Sequence, residues 1–492
     1  MAASRDNNWM NQRRAGVLLH PTSLPGSGRR GVLGRQAYHF VDWMAAAGLN
    51  VWQTLPLGPT HGDGSPYQCL SAYAGSPRMI SLDLLYEQGY VNGPRPVDGE
   101  DDVEGQLLSI FEYWRTNHSQ DEDAHFQNFC AHNAHWLPDY ALFMALKRHH
   151  HSRSWGDWPK PLRDRESNAL AEARHRFAHT IEYIAFEQFV FFKQWQALKR
   201  YANEKGILLY GDIPIFVAYD SADVWANRKR FLLDDNGQPI VVAGVPPDYF
   251  SATGQRWGNP LYHWETLEGE GFEWWLQRIR TQLDMVDILR IDHFRGFEAY
   301  WEIDAHCATA VDGRWVKAPG EALFKALRKK LGKLPLVAED LGVITPEVDK
   351  LREKFGLPGM KILQFAFGDN HRNPYLPHHH RYDFVVYTGT HDNDTTVGWF
   401  DSLDQGKRDH VLEYLGRPGE AMPWPMIRAA MESVAVMAIV PMQDFLGLNS
   451  QHRMNSPGTT QGNWGWRFQW DMIPADLAAR IRQLTDLYGR SL

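Results

Sequence analysis

Cysteine is scarce in this chain of 492 residues: Cys69, Cys130 and Cys307 are far apart, odd in number and never in a CxxC pair. That excludes a disulfide framework and gives no support to a zinc site. Long apolar runs are missing as well. The leading segment holds only a short one at 16–19, too short for the core of a secretion signal, and nothing later reaches the length of a membrane span. The expectation is a protein of a reducing compartment, cytoplasmic and without a membrane partner. A basic excess is also lacking. Against 51 Lys and Arg stand 59 Asp and Glu, a net charge of −8, which argues against nucleic acid as a partner. No internal repeat and no low-complexity linker interrupts the chain.

What is abundant is aromatic. Twenty Trp, 19 Tyr and 24 Phe make up 13% of the residues. Most such rings belong in a core, but Trp combines a flat apolar body with an N–H that wants a partner, which suits the faces and edges of sugar rings.

Short runs of Val, Ile and Leu recur, each ending in polar, Gly or Pro residues. They lie at 16–19, 49–55, 207–210, 286–291, 335–338, 360–367, 384–388 and 436–441. Amphipathic stretches such as 324–331 and 346–355 separate several of them, and strands alternating with helices imply a parallel sheet. Eight such strands predict an α/β fold closed into a (β/α)8 TIM barrel, with the functional residues at the strands' C-terminal ends. Two intervals are too long for ordinary βα loops. Residues 84–203 read as a helical insertion, and 216–275, dense in Gly, Pro and aromatics, as an irregular lobe over the site. A single catalytic barrel across 1–492 would carry both.

Cleaving a glycosidic bond with retention needs two carboxyl groups about 5–5.5 Å apart, one to attack and one to protonate the leaving oxygen. Ends of adjacent parallel strands, roughly 5 Å apart, are suited to supply them. In Leu289-Arg290-Ile291-Asp292 the Arg290 and Asp292 side chains share a face, and the guanidinium would favour ionised Asp292. On the next strand Glu339 follows a buried run. Beside an ionised Asp292 its carboxyl should be shifted upward, as a general acid requires. Further on, Asp392 could hold substrate hydroxyls and favour an oxocarbenium-like state, with His391 as a donor. Asp212, after the third strand, would be another hydroxyl ligand or a brace.

Together these segments resemble glycoside hydrolase family 77, the amylomaltases of the α-amylase superfamily. RIDHFRG, AEDLG and GTHDNDT match its catalytic strand ends; GDIPIFV and PPDYFSATGQRWGNP match its third strand and active-site loop; HPTSLPG, SPYQ and GNWGWR also fit. The resemblance spans nearly the whole chain. It implies 4-α-glucanotransferase activity on α-1,4-glucans, maltooligosaccharides and starch, with no cofactor. Asp292 would be the nucleophile, Glu339 the acid/base and Asp392 the transition-state stabiliser. Asp212, Arg290 and His391 would contact sugar or support those that do. Tyr67 would stack on the donor, Trp464 would lie at the substrate, and a mobile loop with Tyr249, Phe250 and Trp257 would bind the acceptor. That loop could position the acceptor and exclude water.

Other signals are discounted. Three adjacent imidazoles at 149–151 or 378–380 do not converge on one ion, so these read as solvated surface runs, with no metal site. Gly26-Ser27-Gly28 lacks the context of a phosphate loop, and Asp392-Asn393-Asp394 lacks the rest of a calcium loop. An α-amylase-type hydrolase would use the same carboxylates but normally carries a C-terminal β-domain, for which the residues after 446 are too few. A non-catalytic carbohydrate-binding barrel would be expected to have lost one of the three carboxyls. Monomer and homodimer stay open. The lack of a transit-like leader favours a bacterial over a plastid type.

Overall fold

The computed structural model describes residues 8–99, 102–247 and 251–491. Eight parallel strands form its centre: β1 (Arg14–Leu18), β2 (Val51–Gln53), β3 (Leu208–Pro214), β4 (Ile288–Asp292), β5 (Leu336–Ala338), β6 (Gly359–Ile362), β7 (Phe384–Tyr387) and β8 (Met437–Pro441). Each overlaps one of the eight apolar runs. They pair in the order β6-β7-β8-β1-β2-β3-β4-β5, leaving β5 and β6 as the two ends. The seam between those ends closes without a regular ladder. Ala338 N donates to Pro358 O at 2.8 Å, and Met360 N donates to the Asp340 carboxylate at 2.7 Å.

Alternate side chains on each strand enter different clusters, as the two-residue period of a strand demands. Leu18, Val51, Tyr210, Ile288, Val337, Met360, Val385 and Met437, one from every strand, fill the barrel interior. Val17, Trp52, Leu209, Leu289, Ala338, Val386 and Ala438 pack outward into the larger apolar layer beneath the helices. The barrel is thus a packed core with both faces covered. Gly16 allows the close approach of β1 and β2, since a Cβ there would come within 2.5 Å of Val51 O.

Between β2 and β3 the chain is largely helical, with Val103–Asn117, Gln120–His132, Leu137–His149, Ser167–Arg176 and Ala178–Glu204 as its main helices. The last is fastened to the loop after β2 by two buried glutamines. Gln188 accepts from Gly75 N and donates to Gly75 O, both at 2.9 Å; Gln194 does the same with Ser81 at 2.8 Å. Each amide replaces a peptide partner, so the loop that carries Tyr67 is held as though by a strand.

The segment after β3 is not wholly irregular. Its strands Val241–Val245 and Gln255–Pro260 pair antiparallel with each other. Val241–Val245 also pairs with Ala299–Asp304, which pairs in turn with Gly313–Lys317. Loops following β3 and β4 are therefore welded into one four-stranded sheet.

After β8 no further strand occurs among the described residues. Helix Leu477–Leu487 returns to the barrel, and the fully buried Arg490 behind it donates to the carbonyls of Met431 (2.7 Å), Arg14 (2.9 Å), Ser433 (2.6 Å) and Ala435 (3.0 Å). The His378–His380 run departs from the solvated reading at one position. His380 is buried, its ring nitrogens paired with Ser433 Oγ at 2.7 Å and Tyr375 O at 3.0 Å. Among the described residues no helix is long and apolar enough to cross a membrane.

Candidate active site

The register of β3 and β4 sets Asp212 opposite Arg290 and Pro214 opposite Asp292. Arg290 consequently reaches two carboxylates. Its Nη1 donates to Asp212 Oδ2 at 2.6 Å and its Nη2 to Asp292 Oδ1 at 2.8 Å. Tyr67 OH donates to the same Asp212 oxygen at 2.7 Å. Arg290 and Asp212 are buried, whereas the Asp292 side chain keeps 30% of its exposure, which leaves it within reach of a substrate. A buried planar cation forked between two carboxylates fixes all three in place.

Glu339 stands beside this pair because its main chain prolongs the ladder to β4. Glu339 N donates to Ile291 O, and Phe294 N to Glu339 O, each at 3.0 Å. Its carboxyl takes two more main-chain donors, His293 N on Oε2 at 2.6 Å and Leu341 N on Oε1 at 2.9 Å. To aim its N–H this way His293 adopts a left-handed backbone, φ 54°, a conformation that costs a non-glycine residue about 1–2 kcal/mol.

Burial dominates the electrostatics. It lifts the Glu339 carboxyl above its usual range despite Arg290 and the two N–H donors, and Asp340 adds to the rise. For Asp292 the influence of Arg290 has the expected sign but is outweighed. Burial, with Glu339, Asp212 and Asp392, moves that carboxyl up to about 8. Arg290 alone does not set the sign, because the walls of the site strip much of the water from the Asp292 carboxyl even though part of its side chain stays exposed. Both carboxyls of the neighbouring strand ends are thus displaced upward, and by the same cause, loss of water. His391 is lowered by burial, against the pull of Asp392, and is neutral.

The loop after β7 brings the third carboxylate. Asp392 Oδ2 lies 3.4 Å from His391 Nε2, Oδ1 accepts from Asn455 Nδ2 at 2.6 Å, and Arg453 Nη2 holds the Asp392 carbonyl at 3.1 Å. An aromatic corner completes the wall: Tyr67 stacks on His391 at 5.2 Å, and Trp464 leans towards both at 6.1 and 6.0 Å. Across the site, Trp257 meets the His293 ring edge to face at 4.8 Å. Tyr249 and Phe250 lie outside the described residues.

So Asp212, Arg290, Asp292, Asp392, His391, Tyr67 and Trp464 are linked by direct contacts, while Glu339 and Trp257 join them through His293, the residue next to Asp292. Sequence reasoning passed over Arg453 and Asn455, which sit in an irregular stretch where no periodicity draws attention to them. It also passed over His293, whose role is carried by a main-chain N–H. The assembly offers what nucleophilic attack and proton delivery at an anomeric carbon need: one carboxyl to attack, a second on the neighbouring strand end to give and take the proton, and a third from the loop after β7.

Comparison with known proteins agrees with this chemistry. The family profile described as 4-alpha-glucanotransferase matches residues 19–473. The chain is 50% identical to the 4-alpha-glucanotransferase of Thermus thermophilus, over 97% of this chain and 99% of that protein. To the 4-alpha-glucanotransferase of a Synechocystis strain it is 49% identical, over 98% and 99%. Among solved structures, an amylomaltase from Streptococcus agalactiae in complex with acarbose superposes with a TM-score of 0.94 at 38% identity, covering 98% of this chain and all of that one. A catalytic barrel of this shape, with relatives this near over their full length, makes the chain a member of the 4-alpha-glucanotransferase family, glycoside hydrolase family 77.

Proposed function

We infer that the enzyme moves α-1,4-glucan segments from a donor maltooligosaccharide or starch chain to the 4-hydroxyl of an acceptor, by double displacement with retention. In the first half, an Asp292 oxygen attacks the anomeric carbon. The glycosidic C–O bond breaks as Glu339 gives its proton to the leaving oxygen, and a glucosyl ester remains on Asp292. In the second, the acceptor hydroxyl passes its proton to Glu339 while its oxygen attacks the same carbon, and Asp292 leaves as a carboxylate. The cycle starts with one proton on the Asp292–Glu339 pair and ends the same way. The observation that carries this reading is the setting of that pair: adjacent strand ends, both carboxyls displaced upward by burial, and Arg290 on the attacking one.

Asp392, neighboured by neutral His391, would hold sugar hydroxyls and favour the positive charge that develops on the ring. Tyr67 and Trp464 offer faces to the donor; Trp257, with Tyr249 and Phe250, would meet the acceptor chain. Asp212 acts on the site through Arg290 and Tyr67. In this reading 1–492 is a single catalytic barrel, 84–203 its helical insertion subdomain and 216–275 its active-site loop subdomain. The working compartment is the cytoplasm, and the chain acts as a monomer or homodimer without a cofactor.

The direct test is incubation with maltotriose, following glucose, longer oligosaccharides and total reducing ends together. A ladder of longer products with released glucose and little gain in reducing ends is expected. Rising reducing ends without longer products would replace transfer by hydrolysis.

A further inference from the structure

His293 touches both halves of the reaction. Its main-chain N–H is the 2.6 Å donor to Glu339 Oε2, and its ring is the 4.8 Å edge-to-face neighbour of Trp257, with 87° between the planes. The Nε2 atom is buried and has no hydrogen-bond partner. Burial, assisted by Arg295, moves the imidazole down to about 3, so the ring is neutral. The turn is packed around it: a Cβ on Gly296 would lie 3.2 Å from His293 Cδ2. Trp257 belongs to Gln255–Pro260 of the four-stranded sheet, which also contains Ala299–Asp304, a few residues beyond His293. A shift of the acceptor loop is therefore felt at His293 from two sides.

We propose that His293 is a positioning residue for transfer: through its ring it couples the acceptor loop at Trp257 to the hydrogen bond on the Glu339 carboxyl. The proposal rests on the reading of Glu339 as acid and base and of Trp257 as an acceptor contact. A main-chain N–H on a carboxyl favours its anion, the form needed to take a proton from the incoming hydroxyl. An acceptor chain seated on Trp257 presses the indole against the imidazole and keeps the left-handed turn, and so the N–H, on Oε2. Water arriving at the glucosyl ester makes no contact with Trp257 and lacks that support, so sugar is deprotonated in better geometry than water. The other charged or titratable groups that act on Glu339 are Arg290, Asp340 and Asp292, with Tyr375 from the side of β6. None of them meets Trp257 in a ring contact or hydrogen bond among the described residues.

The test compares wild type with His293→Ala and His293→Asn on maltotriose. It reads the share of cleavage events that end in water, the high-pH limb of kcat/KM and the KM for donor. That limb reports the essential acid of the free enzyme. In His293→Ala the ring is lost and alanine resists the left-handed backbone. The water share should rise about tenfold, and the limb should move up by about 1 unit as one N–H leaves Glu339. KM should stay within about twofold, because the donor side is untouched. Asparagine tolerates the left-handed turn, so His293→Asn should keep the limb in place and still raise the water share. A role in folding alone would lower activity without moving limb or partition. A wild-type water share in both variants, or an unmoved limb in His293→Ala, overturns the proposal; should His293→Ala not fold, the partition of His293→Asn decides. Glu339→Gln separates the two failures. If it keeps wild-type turnover, the acid/base reading falls and takes this one with it. If it is inactive while His293→Ala behaves as wild type, only the role of His293 falls.

Discussion

Asp292→Asn removes a charge from the barrel mouth and leaves an amide oxygen that can still accept from Arg290. In the wild-type fold burial moves this carboxyl from 3.8 up to about 8, so between those values the folded protein holds more protons than the unfolded chain. Stability contributed by this group therefore falls as pH rises through that window, and the penalty is complete above about pH 8. An amide carries no such penalty. The variant should match the wild type near pH 4, gain on it steadily up to about pH 8, and keep a constant lead beyond. That displacement already contains the attraction of Arg290, 2.8 Å away, and the 30% exposure of the side chain lets solvent screen part of the penalty. A net of about 1–2 kcal/mol is expected, the usual size when a strained functional group is neutralised. At roughly 2.1 cal/mol/K per residue, a chain of 492 residues unfolds with an entropy of about 1 kcal/mol/K, so the midpoint should rise by about 1–2 °C. Differential scanning calorimetry on both proteins, in matched buffers across the window, measures this. Maltotriose turnover assayed alongside should fall by about 10⁴-fold or more, as for loss of other covalent nucleophiles. A variant less stable than wild type at pH 8, or a lead that does not change with pH, refutes the reasoning.

Arg290→Leu should act in the opposite sense. It leaves Asp212 and Asp292 without their shared cation, and urea unfolding near neutral pH should show a loss of about 3–5 kcal/mol; adding Asp212→Asn should restore part of it, and failure to do so would mean the fork is not the source. Asn455→Ala deletes the 2.6 Å hydrogen bond on Asp392, worth about 1.5–3 kcal/mol for a charged acceptor. Steady-state kinetics should show kcat lowered about 10- to 100-fold with KM nearly unchanged; a change confined to KM would place Asn455 in ground-state binding instead.

How far the chain could be read beforehand depended on how local the signal was. The eight barrel strands were legible because strands covered on both faces are written as short uninterrupted apolar runs, Phe384–Tyr387 and Met437–Pro441 being buried at every position. Asp292 and Glu339 stood out because polar residues directly after such runs must face the barrel mouth, and Asp392 because it follows the run at 384–388 by only four residues. The four-stranded sheet was hidden, since Val241–Val245 finds its partner in Ala299–Asp304, and pairing over that distance leaves no mark on either segment. Asn455 and Arg453 were hidden for the same reason: they reach Asp392 from about sixty residues downstream. His380 was read as surface from its neighbours, although a partner hydroxyl on Ser433 takes it inside. The upward displacement of Asp292 was missed because sequence names the neighbouring charge but not the water that burial removes.

Arg490 ties the end of the fold to its beginning. Its guanidinium joins the carbonyl of Arg14, on the first strand, to those of Met431, Ser433 and Ala435 around the last. Synthesis runs in the other order. At about 5–20 residues per second, the ribosome needs roughly half a minute to a minute and a half after making β1 before Arg490 exists. Until Met437–Pro441 has been made, over most of that time, β1 can pair with β2 but not with β8, and one of its edges stands open. Until then the nascent barrel is an unclosed, curling sheet whose fastener has yet to be made, and that interval is when it most needs shelter from other chains.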